Sequence, residues 1–278
     1  MTSVAAVVVD FFAGDDLARC VDSLRQNGVE MSVVVDNSTT GASLLALGAR
    51  EARVVDPESN LGFGRGVNRG VAALGSADVV IVANPDVVVH DGAIAALVDY
   101  LDRHGEVALV GPAIVDGTGA PYPSARVFPN PVLAALHAVL APWWPSNPFT
   151  RRYRSPGKGG RVDWVSGAFF AIRRADFEAV GGFDERYFMF AEDMDLCWRL
   201  GRRGRAVAVC RDAVVTHHEG VSRRRAPRAM LAAHHRSAIR FEITTARGAR
   251  RLLVPLAVML LGLRYLATAP FSPRGPLS

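Results

Sequence analysis

The sequence contains few cysteines, and their spacing argues against a disulfide framework or a zinc site. Cys20, Cys197 and Cys210 are the only three in 278 residues, and none belongs to a CxxC pair. Disulfide-rich domains and zinc modules need cysteines that are paired or clustered along the chain. We therefore expect a protein of a reducing compartment, long enough to bury a full hydrophobic core.

The apolar runs of the sequence are too short to cross a membrane. The run at 252–263 lies between Arg251 and Arg264, is interrupted by Pro255, and falls below the roughly 18 residues that a spanning helix needs. Apolar helices flanked by arginines are typical of the membrane interface; a helix buried in the core or in an oligomer is the alternative. The run at 1–9 lacks basic residues and predicts a buried strand instead of a signal peptide.

Positive charge is concentrated in the last third of the chain. The formal net charge is +5, and the segment from Arg202 onward is rich in arginine with few acidic residues. Such a surface suits nucleic acid, an anionic membrane surface or a diphosphate substrate. The alternative to such a binding surface is a solvated basic face without a partner.

Apolar strand-like segments alternate with amphipathic helical segments through the first 110 residues. Strands are predicted at 4–9, 31–35, 54–56, 79–82 and 107–110, and helices at 15–27, 43–50, 64–74 and 91–103. This alternation predicts an α/β fold with a mostly parallel sheet covered by helices on both sides. Ligands of such sheets bind beyond the carboxyl ends of the strands.

Two further regions follow from the composition. Segment 117–161 is rich in proline and aromatic residues and is expected to be an insertion that forms a lid or an acceptor platform, or that contacts a membrane through Trp143 and Trp144. We expect one catalytic domain over 1–225 and a basic and apolar helical extension over 226–278.

A glycine-rich stretch at 60–70 follows the third predicted strand. Its glycines allow backbone amides to approach a diphosphate at the start of the next helix. The spacing is not GxGxxG and does not follow the first strand, so the stretch is weak evidence on its own. A tight turn with close helix packing is the alternative.

Polar residues at the end of the fourth predicted strand suggest a metal site. The strand ends at Pro85, because proline has no N–H to donate to a sheet, and this leaves Asp86 at the carboxyl edge of the sheet. One carboxylate together with a substrate diphosphate is a usual way to hold Mg²⁺. A histidine of the His217-His218 pair, after the strand near 206–209, is a candidate second ligand, and a pair of structural histidines is the alternative; a helix cap is the alternative for Asp86.

The densest acidic cluster lies at the start of a predicted helix. Glu192 and Asp195 share one face, and Asp195 precedes Arg199 by one turn, the spacing of a structural ion pair. Asp193 points elsewhere and is free to accept a proton from an acceptor hydroxyl as a general base. The alternative is that all three acids only stabilise the helix N-terminus.

Taken in order, these segments resemble the inverting glycosyltransferase family 2, which has the GT-A fold. The resemblance covers about residues 4–240 and is carried by VVVDNS, NLGFGRGVNRG, VANPDV, WVSGAFFAIRR, GGFDERYFMFAEDMDLCWRL and THHEGVS. The segments YPSAR, HAVLAPWWPSNPFTRRYR and AAHHRS are similar to the rhamnosyltransferases of this family that act on polyprenyl-diphospho-N-acetylglucosamine. The expected fold is therefore a GT-A nucleotide-sugar-binding fold with a C-terminal helical, membrane-associated extension.

The resemblance implies a role for each candidate residue. Asp193 would be the catalytic base, Asp86 and His217 would hold Mg²⁺ or Mn²⁺, and Asn84, in place of the first acid of a DxD motif, would contact ribose or phosphate. Asp36 would read the pyrimidine base. The nucleotide pocket would further be lined by Asn60, Gly62, Gly64 and Asn68. The acceptor or donor sugar would be contacted by Arg126, Trp164, Ser166, Gly167 and Glu192.

The resemblance also implies an activity and its surroundings. L-rhamnose would move from dTDP-L-rhamnose, with inversion, to a polyprenyl-diphospho-N-acetylglucosamine acceptor of cell-wall linker synthesis. The protein would lie at the inner face of the plasma membrane, and its oligomeric state stays open. Alternatives are a family-2 transferase of galactofuranose or mannose, a sensor that binds nucleotide sugar without turnover, and a basic nucleic-acid-binding protein, for which no RNP-like, helix-turn-helix or zinc signature exists.

Overall fold

The computed structural model describes residues 2–128, 140–141, 143–154, 161–218 and 227–268. The strands are β1 Val4–Asp10, β2 Met31–Asp36, β3 Arg53–Val55, β4 Val79–Ala83, β5 Val87–Val89, β6 Val107–Asp116, β7 Pro121–Tyr122, β8 Ala125–Arg126, β9 Arg161–Val162, β10 Trp164–Val165, β11 Phe169–Arg173 and β12 Ala206–His217. The helices are α1 Asp15–Gln26, α2 Ala42–Leu47, α3 Phe63–Ala73, α4 Ala93–Arg103, α5 Pro148–Arg154, α6 Arg174–Ala179, α7 Glu192–Arg202, α8 Pro227–Thr245 and α9 Val254–Thr268.

A single mixed sheet organises these elements. Its strand order is β3-β2-β1-β4-β11-β6-β12-β5, with β7 paired to β6 and β9 to β12. The first four strands are parallel, and β11 lies antiparallel between β4 and β6. The α/β fold predicted from the alternation is confirmed, and β11 is an antiparallel strand inserted into the middle of the sheet.

Both faces of the sheet are buried because alternate residues of each strand point to opposite sides. On one face Val8 and Ile81 belong to one core cluster with Leu17 of α1 and Leu97 of α4. On the other face Val7 and Val82 pack against α3 and α7. Helices therefore cover both faces, and the carboxyl ends of β1, β2 and β4 are left for a site.

Helix α3 lies unusually close to the sheet. A Cβ added to Gly70 would lie 2.4 Å from Cγ1 of Val7, and one added to Gly66 would lie 2.9 Å from Cγ1 of Val9. Any side chain at these positions would push α3 away from β1. The close-packing alternative for the glycine-rich stretch therefore holds for these two glycines.

The described part of the C-terminal extension is helical. Helix α8 packs against α9, with a 3₁₀ segment, Gly248–Leu253, between them. Pro255 is the second residue of α9, where its missing N–H is tolerated, so it begins the helix instead of breaking the apolar run. Leu256 and Met259 are about half exposed, which contradicts the alternative of a helix buried in the core. None of the helices in the described ranges is both long and apolar enough to traverse a bilayer.

The insertion predicted at 117–161 is described only in part. Strand β8 of the insertion pairs antiparallel with β10, which follows the insertion in the chain. Trp143 is 90% exposed and Trp144 is 54% exposed, next to a turn in which Asn147 accepts a hydrogen bond from the Thr150 amide. Residues 129–139 of this segment lie outside the described residues.

Candidate active site

Asp193 lies at the start of α7 with its carboxylate held by two backbone amides. Gly167 N–H donates to Oδ2 over 2.9 Å, and Met194 N–H donates to Oδ1 over 2.8 Å. The helix begins directly after Phe190 and Ala191, which both adopt positive φ and turn the chain sharply into it. Asp193 as a whole residue is half-buried.

Glu192 lies beside Asp193 and has the opposite exposure. Its side chain is buried, and Oε2 has no hydrogen-bond partner among the described residues. Burial, together with the charge of Asp193, raises the pKa of Glu192 to about 8. Burial also raises the pKa of Asp193, against the hydrogen bonds from Gly167 and Met194 and the positive charge of Arg126, which lower it. Burial and mutual repulsion disfavour ionisation of both acids at once, so the pair favours holding one proton between them.

The third acid of the cluster is structural. Asp195 is fully buried and accepts a hydrogen bond from Arg199 Nε over 2.6 Å. Arg199 Nη1 also donates to the carbonyls of Val180 and Gly182, each at 2.7 Å. This is the ion pair that the helical spacing predicts, and it fixes α7 to the loop that precedes it.

Asp86 and His217 meet at the carboxyl end of β4. Oδ1 of Asp86 and Nε2 of His217 are 3.1 Å apart, yet Oδ1 has no hydrogen-bond partner among the described residues. Asn84 Nδ2 lies 3.5 Å from the same His217 nitrogen. An unpartnered carboxylate oxygen and a ring nitrogen that face one point are a donor set that suits a divalent cation.

Two protein ligands do not complete the coordination of such a cation. Within the described ranges, no group of three or more His, Cys, Asp or Glu residues is placed to bind a metal. The remaining positions would have to be filled by water or by phosphate oxygens of a substrate, as is usual for Mg²⁺.

Asp36, predicted to read the base, is 2% exposed and engaged by its own loop. Its Oδ1 accepts hydrogen bonds from the amide and hydroxyl of Ser38, and its Oδ2 accepts one from the Ser43 amide at 3.3 Å. Asp10, which sequence reasoning missed, accepts a 2.7 Å hydrogen bond from the Ser43 hydroxyl. The buried acids at the ends of β1 and β2 therefore share one serine, which orders the loop between β2 and α2.

The glycine-rich stretch is fastened to residues 183–188. Gly62 N–H donates to Asn60 Oδ1 at 2.9 Å, and Phe63 N–H donates to the Phe188 carbonyl at 3.0 Å. A Cβ on Gly62 would lie 2.0 Å from that carbonyl oxygen, so only glycine fits there. Asn68 exchanges two hydrogen bonds with the backbone of Phe183, one donated from Nδ2 and one accepted by Oδ1.

All these contacts are made within the protein. The predicted roles of this stretch in nucleotide binding therefore stay predictions. The amides of residues 62 and 63 are already used inside the protein, and a Cβ on Gly64 would lie 3.0 Å from that of Phe183. The chain leading to Asp193 is thereby tied to the start of α3, a connection that no sequence signal revealed.

Four of the five predicted sugar-contacting residues fall on the β8–β10 pair and the turn after it, and the fifth, Glu192, begins α7. Arg126 and Trp164 are register partners, and the guanidinium carbon lies 5.3 Å from the Trp164 ring centroid. The 166–168 turn then joins the two candidate centres. Gly167 N–H donates to Asp193, and the Ala168 carbonyl accepts a 2.8 Å hydrogen bond from the Asn84 amide. The structure thus brings the predicted base, sugar-contacting and metal residues to one end of the sheet.

Comparison with solved structures defines the fold class as that of the GT-A glycosyltransferases. The mannosyltransferase PcManGT from Pyrobaculum calidifontis, in complex with GDP-Man and Mn²⁺, superposes with a TM-score of 0.62 at 15% identity, over 99% of this chain and 76% of that chain. TarS of S. aureus superposes with a TM-score of 0.57 at 13% identity, over 97% of this chain and 74% of that chain. At these identities the similarity establishes the fold alone.

Sequence comparison gives the family. Residues 2–238 match the family described as "Glycosyltransferase like family 2", and the chain belongs to it. The chain is 41% identical to the N-acetylglucosaminyl-diphospho-decaprenol L-rhamnosyltransferase of Mycobacterium tuberculosis, over 85% of this chain and 83% of that protein. The predicted family and enzyme class are confirmed, and the nucleic-acid-binding alternative is left without support.

Proposed function

We propose that this enzyme transfers L-rhamnose from dTDP-L-rhamnose to polyprenyl-diphospho-N-acetylglucosamine, with inversion, in the synthesis of a cell-wall linker. The observation that carries the proposal is the 41% identity to the mycobacterial rhamnosyltransferase across most of both chains. The arrangement of Asp193 beside the β8–β10 pair supports it, because its carboxylate faces the residues expected to hold an acceptor sugar.

The donor would bind at the carboxyl ends of β1, β2 and β4. Asp36 and the 60–68 segment would line the nucleotide pocket, with Asn84 near ribose or phosphate. Asp86 and His217 would hold Mg²⁺ or Mn²⁺, which when bound neutralises charge on the leaving diphosphate. The unpartnered Oδ1 of Asp86, 3.1 Å from His217 Nε2, supports this assignment.

The transfer step would depend on Asp193. Its carboxylate accepts the proton of the acceptor hydroxyl while that oxygen bonds to the anomeric carbon and the bond to the nucleoside diphosphate breaks on the opposite side. The two amides that hold Asp193 fix its orientation without occupying every lone pair of the carboxylate. Glu192 is buried beside it, and its raised pKa would keep a second negative charge away from the reacting carboxylate.

Incubation of the purified protein with a short-prenyl diphospho-N-acetylglucosamine and Mg²⁺ or Mn²⁺ tests the proposal. We expect mass spectrometry to detect a rhamnosylated product with dTDP-L-rhamnose and little product with UDP-galactofuranose or GDP-mannose. Preferred turnover of either of those donors would instead assign the enzyme to that sugar. Binding of all three donors without any product would favour the non-catalytic sensor.

The residues 226–278 would form a unit that rests on the cytoplasmic face of the membrane. The exposed apolar side chains of α9 support this, since Leu256, Met259 and Leu263 are each about half exposed. The flanking arginines would meet anionic lipid head groups. Such an attachment would bring the 1–225 catalytic domain close to a prenyl-linked acceptor.

Vesicle flotation tests the membrane contact. Replacing Leu256, Met259 and Leu263 by glutamine should release the protein from vesicles that contain anionic lipid. Leu44 and Leu45 of α2 are exposed to a similar or greater extent and provide a matched control, for which flotation should not change. Equal flotation of the α9 variant and the wild type would contradict the proposed contact.

A further inference from the structure

Arg126 is a cation with hydrogen-bonding capacity left over. Its Nε donates to the Pro123 carbonyl at 3.2 Å, and its guanidinium lies over the Trp164 ring with Cζ 5.3 Å from the centroid. The first contact holds the guanidinium group at Nε, and the second holds it by one face of its plane. In the described part of the chain, no protein group accepts a hydrogen bond from either Nη atom.

The strand pair that carries Arg126 continues to the candidate base. Arg126 pairs with Trp164, Ser166 N–H donates to the Ser124 carbonyl at 2.8 Å, and the next residue, Gly167, donates to Asp193. The charge of Arg126 lowers the pKa of Asp193, although less than burial raises it and less than the amide hydrogen bonds lower it. The guanidinium is therefore close enough for Asp193 to respond to its charge.

The proposed acceptor carries a strong anion near its reacting hydroxyl. In a prenyl-diphospho-N-acetylglucosamine the diphosphate is attached to C1 of the sugar whose hydroxyl Asp193 would deprotonate, so it lies one ring's width away. Asp86 and His217 would serve the diphosphate of the donor, and that of the acceptor needs a cation of its own. The planar fork of an arginine matches two phosphate oxygens at once.

We propose that Arg126 binds the diphosphate of the acceptor and selects diphosphate-linked sugars over uncharged glycosides. This inference rests on the proposed function, because it assumes an acceptor of that class. Trp164 stiffens the arginine through its ring face, which reduces the entropy lost when phosphate binds.

A comparison of two acceptors tests the selection. The substitution R126Q should lower kcat/KM for a short-prenyl diphospho-N-acetylglucosamine at least tenfold more than for an uncharged alkyl N-acetylglucosaminide. Any change in the pKa of Asp193 affects both acceptors equally and cancels in this ratio. An unchanged ratio would overturn the proposal and leave Arg126 as a residue that acts only through Asp193.

Arg202 provides the matched control. Its guanidinium carbon lies 6.0 Å from the Trp198 ring centroid, and it lies about 14 Å along α7 from Asp193 at 1.5 Å per residue. R202Q therefore removes an arginine stacked on tryptophan without removing a cation beside the base. The acceptor ratio of R202Q should equal that of the wild type, and an equal fall in both variants would count against a specific role for Arg126.

A binding measurement separates this inference from the proposed function. With the donor pocket filled by dTDP and Mg²⁺, geranyl diphosphate should bind R126Q at least tenfold more weakly than wild type by calorimetry. Equal affinity overturns the inference even when rhamnosyl transfer is observed. Weaker binding by R126Q supports it even when the donor sugar proves not to be rhamnose.

Discussion

Two pairs of side chains at the same end of the sheet are built in opposite ways. Glu192 and Asp193 are like-charged neighbours, one buried and one half-buried, whose burial raises both pKa values. Asp86 and His217 are unlike groups 3.1 Å apart whose facing atoms do not hydrogen-bond. The first arrangement controls a proton, and the second leaves room for a cation. Similar acids therefore serve different chemistry because of what lies beside them.

The largest expected effect is on the acid pair. Replacing Asp193 by Asn keeps the shape of the side chain and removes its basicity, so transfer should fall on the order of 10³-fold, within the usual range for loss of a general base. The dissociation constant of dTDP, measured by calorimetry, should change little.

Asp99 offers a control for the loss of one carboxylate, because it is an exposed acid paired with Arg103 on α4. D99N should turn over like the wild type. If D193N also kept wild-type turnover, Asp193 would not be the general base. The proposed difference in chemistry between the Glu192–Asp193 pair and the Asp86–His217 pair would then be wrong.

The second largest effect is expected at the other pair. Either D86N or H217A should weaken Mn²⁺ binding in the presence of dTDP on the order of 10- to 100-fold, because each removes one ligand. Electron paramagnetic resonance of free Mn²⁺ measures this without any turnover.

His90 is the matched histidine for this experiment. Its Nε2 lies 2.8 Å from the Thr216 hydroxyl, one residue from His217, and it has no place in the candidate centre. H90A should bind Mn²⁺ like the wild type. Unchanged Mn²⁺ affinity in D86N and H217A would make this pair a structural contact and not a cation site.

A smaller effect, on stability, sharpens the description of the acid pair. The pKa of Glu192 is raised from 4.5 to about 8, so its contribution to stability is present below pH 4.5 and is lost as pH rises toward 8. The glutamine in E192Q does not ionise, so the stability of this variant lacks the pH-dependent loss that Glu192 causes. Its free energy of unfolding relative to the wild type should rise by at least about 1.4 kcal/mol, the equivalent of one pKa unit, across that window.

Urea denaturation near the two ends of this pH window measures the difference. A constant difference between E192Q and the wild type would mean that Glu192 is ionised throughout, and that the pair does not share a single proton.

The smallest expected effect is on the pH dependence of turnover. Transfer needs ionised Asp193, so kcat/KM should fall as pH decreases through its raised pKa, at higher pH than for an ordinary aspartate. R126Q removes a charge that lowers this pKa and should move the acidic limb to higher pH. R202Q should leave the limb in place; a downward shift in R126Q would contradict the electrostatic contact.

Much of the sheet follows from local patterns, and its middle does not. The predicted strands at 4–9, 31–35 and 79–82 match β1, β2 and β4 closely, because continuous apolar runs identify buried strands. The direction of β11 depends on pairing with β4 and β6, which are distant in sequence, and alternation carries no such information.

The site was predictable in composition more than in contacts. The placement of Asp193 at a helix start, and of Asp86 at a strand end, followed from acids that adjoin recognisable elements. The engagement of Asp36 by Ser38 and Ser43, and the tie between Gly62 and Phe188, depend on loops that fold against one another. Such contacts arise from tertiary packing, which single-sequence patterns do not encode.

The 166–168 turn has a consequence for how the sequence can vary. Its backbone alone reaches both centres, since the Gly167 amide meets Asp193 and the Ala168 carbonyl meets the Asn84 amide, while the adjoining Phe169 is locked in register with Ala83. Composition is restricted at Gly167, where an added Cβ would lie 3.2 Å from Cε1 of Phe63 and 3.4 Å from Cβ of Asp193. One residue more or less would shift the Gly167 amide and the Ala168 carbonyl relative to each other, so the length of the turn is constrained as well as its glycine.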